Sequence, residues 1–382
     1  MKQGWVEKKL GQILQIERGG SPRPIKKYLT DDPDGLNWIK IGDATASTKY
    51  IYHTKQKITK DGLHKTRLVK EGDFILSNSM SFGKPYIMKT TGCIHDGWLV
   101  LKEKDGFKLN QDFLYHLLCS PYLFKQFDGL AAGSTVRNLN IALVSSVTVR
   151  VPPLEEQKQI VAKLDQCFEA IDKARANAVK NLENAKELFQ SKLNDIFSQK
   201  GEGWVEKKLG DVCENLDSKR IPITKNKRTE GNIPYYGASG VVDHVNEYIF
   251  NEDLLLVSED GANLLARTYP IAFSISGKTW VNNHAHVLKF QSMAAQRFIE
   301  YYLNSIKLDD YVSGMAQPKL NQRMLNSISV PNADEHIQKD VVSRLDELKE
   351  QTKSLESKYQ QELNSLEELK KSILQKAFEG EL

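Results

Sequence analysis

The sequence predicts an α+β protein built as a tandem duplication. Two globular regions would be separated by a long antiparallel two-helix coiled coil and related by an approximate two-fold axis. Two observations carry this. The octapeptide Gly4-Trp5-Val6-Glu7-Lys8-Lys9-Leu10-Gly11 returns unchanged as Gly203–Gly210, 199 positions later, and an internal repeat outranks any single element as evidence of architecture. Two long stretches, Leu154–Lys200 and Asn332–Glu379, contain neither Pro nor Gly, as uninterrupted helices require.

The repeat extends beyond its opening. From Gly133 and Gly314 a second correspondence runs without gaps at an offset of 181, pairing Leu139-Asn140 with Leu320-Asn321 and Gln157-Lys158 with Gln338-Lys339. It continues through Leu164-Asp165 with Leu345-Asp346, Leu193 with Leu374 and Phe197 with Phe378. Because the offsets of 199 and 181 differ by 18, the first repeat carries about 18 extra residues in its middle. Matching edges around unlike centres predict one scaffold presenting two different contact surfaces.

Pro152-Pro153 and Pro331 precede the helical stretches, and Gly201 and Gly380 close them, the usual punctuation of helix ends. The first seam reads Leu164, Ile171, Ala178 and Ala185 with Cys167, Ala174 and Leu188 interleaved. The second reads Leu345, Thr352, Tyr359, Leu366 and Ile373 with Leu348, Leu355 and Leu369. Both are heptad spacings. Each helix would span roughly 70 Å at 1.5 Å per residue, too long to bury its stripe on one compact core. The duplicated helix is the natural partner, and the short link Gln199–Gly203 makes the pair antiparallel. The expected boundaries are 1–152 and 201–332 for the globular regions, with 153–200 and 333–382 as spacer helices. Two consecutive domains with unrelated helical hairpins form the alternative arrangement.

Within the globular regions, Asp73–Ser77, Trp98–Leu101, Asp253–Ser258 and Ala285–Phe290 read as strands. Turn signals at Asp34-Gly35, Glu71-Gly72, Tyr236–Gly240 and Asp260-Gly261 separate them. Short amphipathic helices are expected near Asn110–Phe127 and Met293–Tyr311. Around these elements lie side chains suited to base edges and phosphates, because Arg pairs with guanine, Asn with adenine, and hydroxyls and cations hold the backbone. The first region offers Ser21, Arg23, Lys26 and Lys27 on a flexible basic loop, then Ser77, Asn78, Ser79, Lys84 and Arg137. The second offers Lys225, Lys227, Arg228, Tyr235, Tyr236, Asn263, Arg267, Lys278, Trp280, Asn282, Asn283, His284 and Lys319.

A hydrophobic content of 40% with 27% charged residues excludes a disordered chain. No run approaches the roughly 20 apolar residues of a membrane span, and the opening residues resemble no signal peptide. The scattered Cys93, Cys119, Cys167 and Cys213 form no CxxC pair. Together these predict a protein of the reducing cytoplasm without structural zinc. A net charge of +4 permits nucleic-acid binding without establishing it. Phosphate loops, dinucleotide fingerprints and HExxH are absent from the sequence. His284 and His286 share a strand face but lack further ligands. Asp253, Glu259 and Asp260 could hold Mg²⁺ for a nuclease, although an acidic strand end at a turn explains them as well.

These features resemble the specificity (S) subunit of type I DNA restriction–modification systems. The resemblance is carried by the repeated GWVEKKLG and by Leu-Asn before a Ser-x-Val or Ser-Ile strand. It is also carried by Val151–Val161 leading into a long helix, and by the ending Ser372–Leu382. The segments Ile233–Gly240, Ser258–Asn263 and Ile94–Leu99 are similar as well, whereas Val330-Pro331-Asn332 lacks the second proline of the family motif. The resemblance implies two target-recognition domains reading a bipartite double-stranded site, with the coiled coil setting an unread spacer. It further implies a non-catalytic subunit that docks two methyltransferase subunits and restriction subunits. S-adenosylmethionine, ATP and Mg²⁺ would sit on those partners and no cofactor on this chain. A metal-dependent nuclease and a non-DNA coiled-coil scaffold are the competing functions.

Overall fold

The structure, a computed structural model, describes residues 3–45, 47–78, 82–131, 138–199, 203–314 and 316–382. Gly133 and Gly201, invoked above for the repeat and for helix closure, lie outside them. The chain forms two compact units, Met1–Asn177 with Glu362–Leu382, and Ala178–Gln361. The division passes through both long helices.

Both repeats share one frame. In the first unit, strand Val6–Lys9 pairs antiparallel with Thr148–Val151, in register from Val6 with Val151 to Lys9 with Thr148. In the second, Val205–Lys208 pairs likewise with Ser329–Asn332. The duplicated Leu-Asn explains itself: Leu139 and Leu320 are buried, while Asn140 and Asn321 accept N–H bonds from Leu143 and Met324 at 2.9 and 3.0 Å. Each Asn therefore caps a short helix, Ile141–Ser146 or Gln322–Asn326. The duplicated glutamines are buried clamps at the helix entries. Gln157 donates to the Pro152 carbonyl at 3.0 Å, and Gln338 to the Ala333 carbonyl at 2.9 Å.

The centres differ. The first unit holds two five-stranded sheets. One runs Leu14–Arg18, Trp98–Glu103, Phe74–Ser77, Pro85–Met88, Tyr50–Ile51; the other runs Leu29–Thr30, Gln56–Ile58, Leu36–Ile39, Gly92–Ile94, Arg67–Val69. The second unit holds two four-stranded sheets. They run Glu214–Asn215, Ala285–Lys289, Leu254–Ser258, Ala272–Ile275, and Gly240–Val245, Ile233–Gly237, Lys278–Val281, Phe250–Asn251. The expected helix near Asn110–Phe127 is two helices, Gln111–Cys119 and Pro121–Ala131, because Pro121 has no N–H to continue the first. The expected helix near Met293–Tyr311 ends at Ser305.

The long helices are Leu154–Ser198 and Glu335–Glu379, 45 residues each. The second starts three residues after Asn332 because Pro331 belongs to the frame strand. It ends at Gly380 in the left-handed region (φ 85), where the Glu381 N–H bonds the Lys376 carbonyl. In the first unit, Arg175 pairs with Glu367 and Asp172 with Lys370, which fixes the helices antiparallel there. Of the heptad seam, Leu164, Ile171, Ala178, Ala185, Leu345 and Thr352 are buried, while Leu348, Leu355, Tyr359, Leu366 and Ile373 are half-buried. Leu188 and Leu369 are corrected to exposed. The buried stripe moves instead to Leu193 and Phe197 and to Leu374 and Phe378. A straight helix drifts about 20° per heptad, so near each globular region the stripe abandons the seven-residue repeat and follows the 3.6 period.

Those last turns complete the globular cores. Leu374, Ala377 and Phe378 pack in the cluster holding Trp5, Leu10 and Phe113, with the Phe113 and Phe378 ring centroids 5.3 Å apart. Leu193 and Phe197 pack with Leu209, Phe298 and Leu345 in the second unit. Phe378→Ala is expected to lower the unfolding free energy by about 3–5 kcal/mol, as large-to-small changes of buried aromatics do. Urea denaturation checks this.

Candidate nucleic-acid interface

In the first unit, the loop after strand Leu14–Arg18 is held rather than flexible. Gly19 and Gly20 donate N–H bonds to the Trp98 and Ile94 carbonyls at 2.9 and 3.1 Å. A side chain at either position would meet backbone, since a Cβ on Gly19 would lie 2.1 Å from the His95 oxygen and one on Gly20 would lie 2.4 Å from that of Lys65. Ser21 donates to Asp96 Oδ1 at 2.7 Å. Burial raises the Asp96 carboxyl less than the Ser21 bond, His95 and Arg23 lower it, so its pKa sits below the ordinary value. Arg23, Lys26 and Lys27 remain exposed. Arg23 and Lys26 line an open cleft of about 940 Å³ together with Trp38, Lys40, Gln56 and His95.

The other candidates of this unit divide. Lys84 is exposed, its Nζ 5.2 Å from the Tyr86 ring centre. Ser77 and Asn78 are buried, which removes them from the candidates: the Ser77 hydroxyl accepts the Lys84 N–H, and Asn78 Nδ2 donates to the Asp96 carbonyl at 2.8 Å. Ser79 and Arg137 lie outside the described residues.

In the second unit the exposed candidates are Lys225, Lys227, Lys278, Asn283, His284 and Lys319. Lys225 lines a surface hollow of about 680 Å³ with Arg228, Asp243 and His244. Six others are corrected to parts of the fold. Tyr235 is buried and shares bonds with the Ile223 backbone, and Trp280 is buried and donates to the Ile221 carbonyl at 2.6 Å. Arg228 is paired with Asp243 at 2.8 Å and stacked over Tyr235. Asn282 is buried and accepts the His284 N–H. Asn263 is buried and ties residues 268 and 269 by both amide atoms. Arg267, in the left-handed region at φ 51, donates to the carbonyls of Leu303 and Ile306 at the end of helix Met293–Ser305. Tyr236 is half-buried against Phe273.

The carboxylates proposed for Mg²⁺ are each engaged differently. Glu259 is paired with Arg220 at 2.7 Å and Lys319 at 3.2 Å, Asp260 is paired with His284 at 2.7 Å, and Asp253 is exposed at a strand start. Sequence reasoning missed the polar network they border. Asp217 accepts from Val287 N and contacts buried His286 at 2.5 Å, whose other nitrogen faces the Leu320 carbonyl at 2.7 Å. Asp217, Glu259 and His286 lie within metal-binding reach of one another. Arg220 fills that position, 3.5 Å from Asp217 and 2.7 Å from Glu259. Burial pushes the Asp217 carboxyl up, but the bond and charge of His286, the Val287 N–H and Arg220 together hold it below its ordinary value.

The sequence pattern described as the type I restriction modification DNA specificity domain matches residues 2–181 and 201–365. A type I restriction enzyme specificity subunit of Haemophilus influenzae is 33% identical over 142 residues, covering 37% of this chain and 36% of that protein. The MjaIX specificity subunit of Methanocaldococcus jannaschii is 24% identical, with 81% of this chain and 77% of that protein aligned. Among solved structures, HsdS of Thermoanaerobacter tengcongensis superposes with a TM-score of 0.67 at 20% identity, over 100% of this chain and 98% of that one. A chain from a type I system studied for complex assembly and conformational transition gives 0.76 at 20% identity, over 100% and 99%. Neither competing function finds support among these similarities.

Two outcomes follow from the networks. Arg267→Ala should lower stability by about 1–3 kcal/mol by orphaning helix-end carbonyls. Arg267→Gly should recover about 1 kcal/mol of that, since glycine tolerates a positive φ; denaturation midpoints of both variants check the order. Asp217, with its pKa lowered in the folded state, contributes stability that is complete above about pH 4 and is lost as pH falls through the folded value. The acid limb of a pH-stability curve should therefore be shallower in Asp217→Asn.

Proposed function

Because both repeats of the chain belong to the type I restriction–modification DNA specificity family, we propose that it reads a split duplex site, one half with each globular region. The observation that carries this is the repeated frame around unlike sheets. Identical strand pairs, caps and glutamine clamps hold two different interiors, as two different half-sites require. Exposed Arg23, Lys26, Lys27 and Lys84 in one region and Lys225, Lys227, Lys278 and Lys319 in the other suit phosphate contacts. Asn283 and His284 are the exposed polar pair best suited to base edges in the second region.

In this reading the chain is the recognition component and the chemistry lies elsewhere. Two methyltransferase subunits carrying S-adenosylmethionine dock on it, restriction subunits with ATP and Mg²⁺ join them, and the complex works in the cytoplasm. Among the described residues no helix is long and apolar enough to cross a membrane. The paired long helices act as the ruler that sets the unread spacer.

Selection from random duplexes with the methyltransferase complex is expected to return two short fixed blocks, with affinity falling steeply as salt rises. One continuous block refutes the split-site reading. The ruler has its own check. Four residues inserted near Ala178, matched by four near Tyr359, add about 6 Å of helix, close to two base-pair steps. Methylation mapping should then show unchanged half-sites and a spacer longer by one or two base pairs; an active variant with the original spacer excludes the ruler.

A further inference from the structure

The cleft of the first unit combines features that a solvated surface does not bring together. Its floor is apolar, with Ile25, Leu29 and the buried Trp38, while Arg23 and Lys26 stand at its edge. One polar ring, His95, faces it. The His95 tautomer follows from its neighbour: Nδ1 lies 2.8 Å from the Gly97 N and accepts that N–H, so the neutral ring carries its hydrogen on Nε2. Burial lowers the His95 pKa, and Lys40 adds to this, against the opposing pull of Asp96 and Asp43. The neutral form is therefore the one present at neutral pH. The ring is locked in place, with Trp38 and Trp98 each 6.2 Å away between centroids. A Cβ on Gly97 would lie 2.2 Å from its Cε1. Its Nε2–H meets no partner among the described residues.

A fixed donor between an apolar floor and cations suits the edge of a base whose flanking phosphates meet the cations. Resting on the split-site reading above, we propose that His95 is a specificity-determining residue of the first half-site. Its Nε2–H donates to an acceptor on the major-groove edge of one base, while Arg23 and Lys26 hold the adjoining phosphates. With Nδ1 engaged by Gly97, the ring offers no acceptor, so it rejects cytosine, whose major-groove edge presents only a donor.

The test uses the intact chain with its methyltransferase subunits and a library of random-sequence duplexes. His95→Asn keeps an acceptor for the Gly97 N–H, as in an Asx turn, but its short side chain cannot reach the base. It should relax preference at one position of the first block by roughly 5- to 150-fold, with the second block and the urea midpoint unchanged. His95→Gln, which returns an N–H near the Nε2 position, should retain that preference at least in part. An Asn variant that keeps the wild-type first block, or a Gln variant that loses it as fully as Asn does, overturns the assignment. A wild-type complex that returns no first block overturns the split-site reading and the assignment with it.

Discussion

A 45-residue helix with a single apolar stripe cannot be covered by a compact domain, and the rest of the structure answers to that constraint. Within the first unit the two helices are joined by the Arg175–Glu367 and Asp172–Lys370 pairs, and the last turns of each helix are buried in a globular core. Phe378 enters the core of the first unit and Phe197 that of the second. Burial of such a side chain contributes about 1.5–3 kcal/mol. Neither core is closed by its own repeat. The spacer helices are therefore structural parts of the recognition regions as well as connections between them.

The same constraint separates what the repeats share from what they do not. The shared residues all act where a long helix meets a globular region. Gln157 and Gln338 seal the helix entries, Asn140 and Asn321 cap the preceding turns, and the GWVEKKLG strands pair with the strands that lead into the helices. Inside that frame the sheets are free to differ, and they do: five strands in each sheet of one unit, four in each sheet of the other.

The architecture was legible because its signals are local or repeated. Long stretches without Pro or Gly, seven-residue spacing and an exact octapeptide need no knowledge of tertiary contacts. The helix ends were less so, since Leu188 and Leu369 keep the heptad while the core follows the straight-helix period. The candidate interface was the least legible. Asn263, Arg267 and Trp280 have the chemistry of base readers, yet their polar atoms bond Tyr269, Ile306 and Ile221. Composition cannot tell a side chain that serves its own loop from one that faces solvent. His95 and Asp217 are the converse case: what sets them apart is the bond each makes, His95 with the Gly97 N–H and Asp217 with His286, which residue type and spacing do not signal.

The placement of Phe378 has a consequence for synthesis. The first unit includes residues 362–382, which are made after every residue of the second unit. At about 5–20 residues per second, roughly 10–40 seconds pass between completion of residue 177 and emergence of the C-terminal helix. Through that interval the surface around Phe113 and Leu10, which Phe378 later covers, stays open, while the second unit acquires all of its own segments first. The N-terminal region thus completes its core only after the region that follows it has been made, and until then Phe113 lacks the Phe378 ring against which it packs.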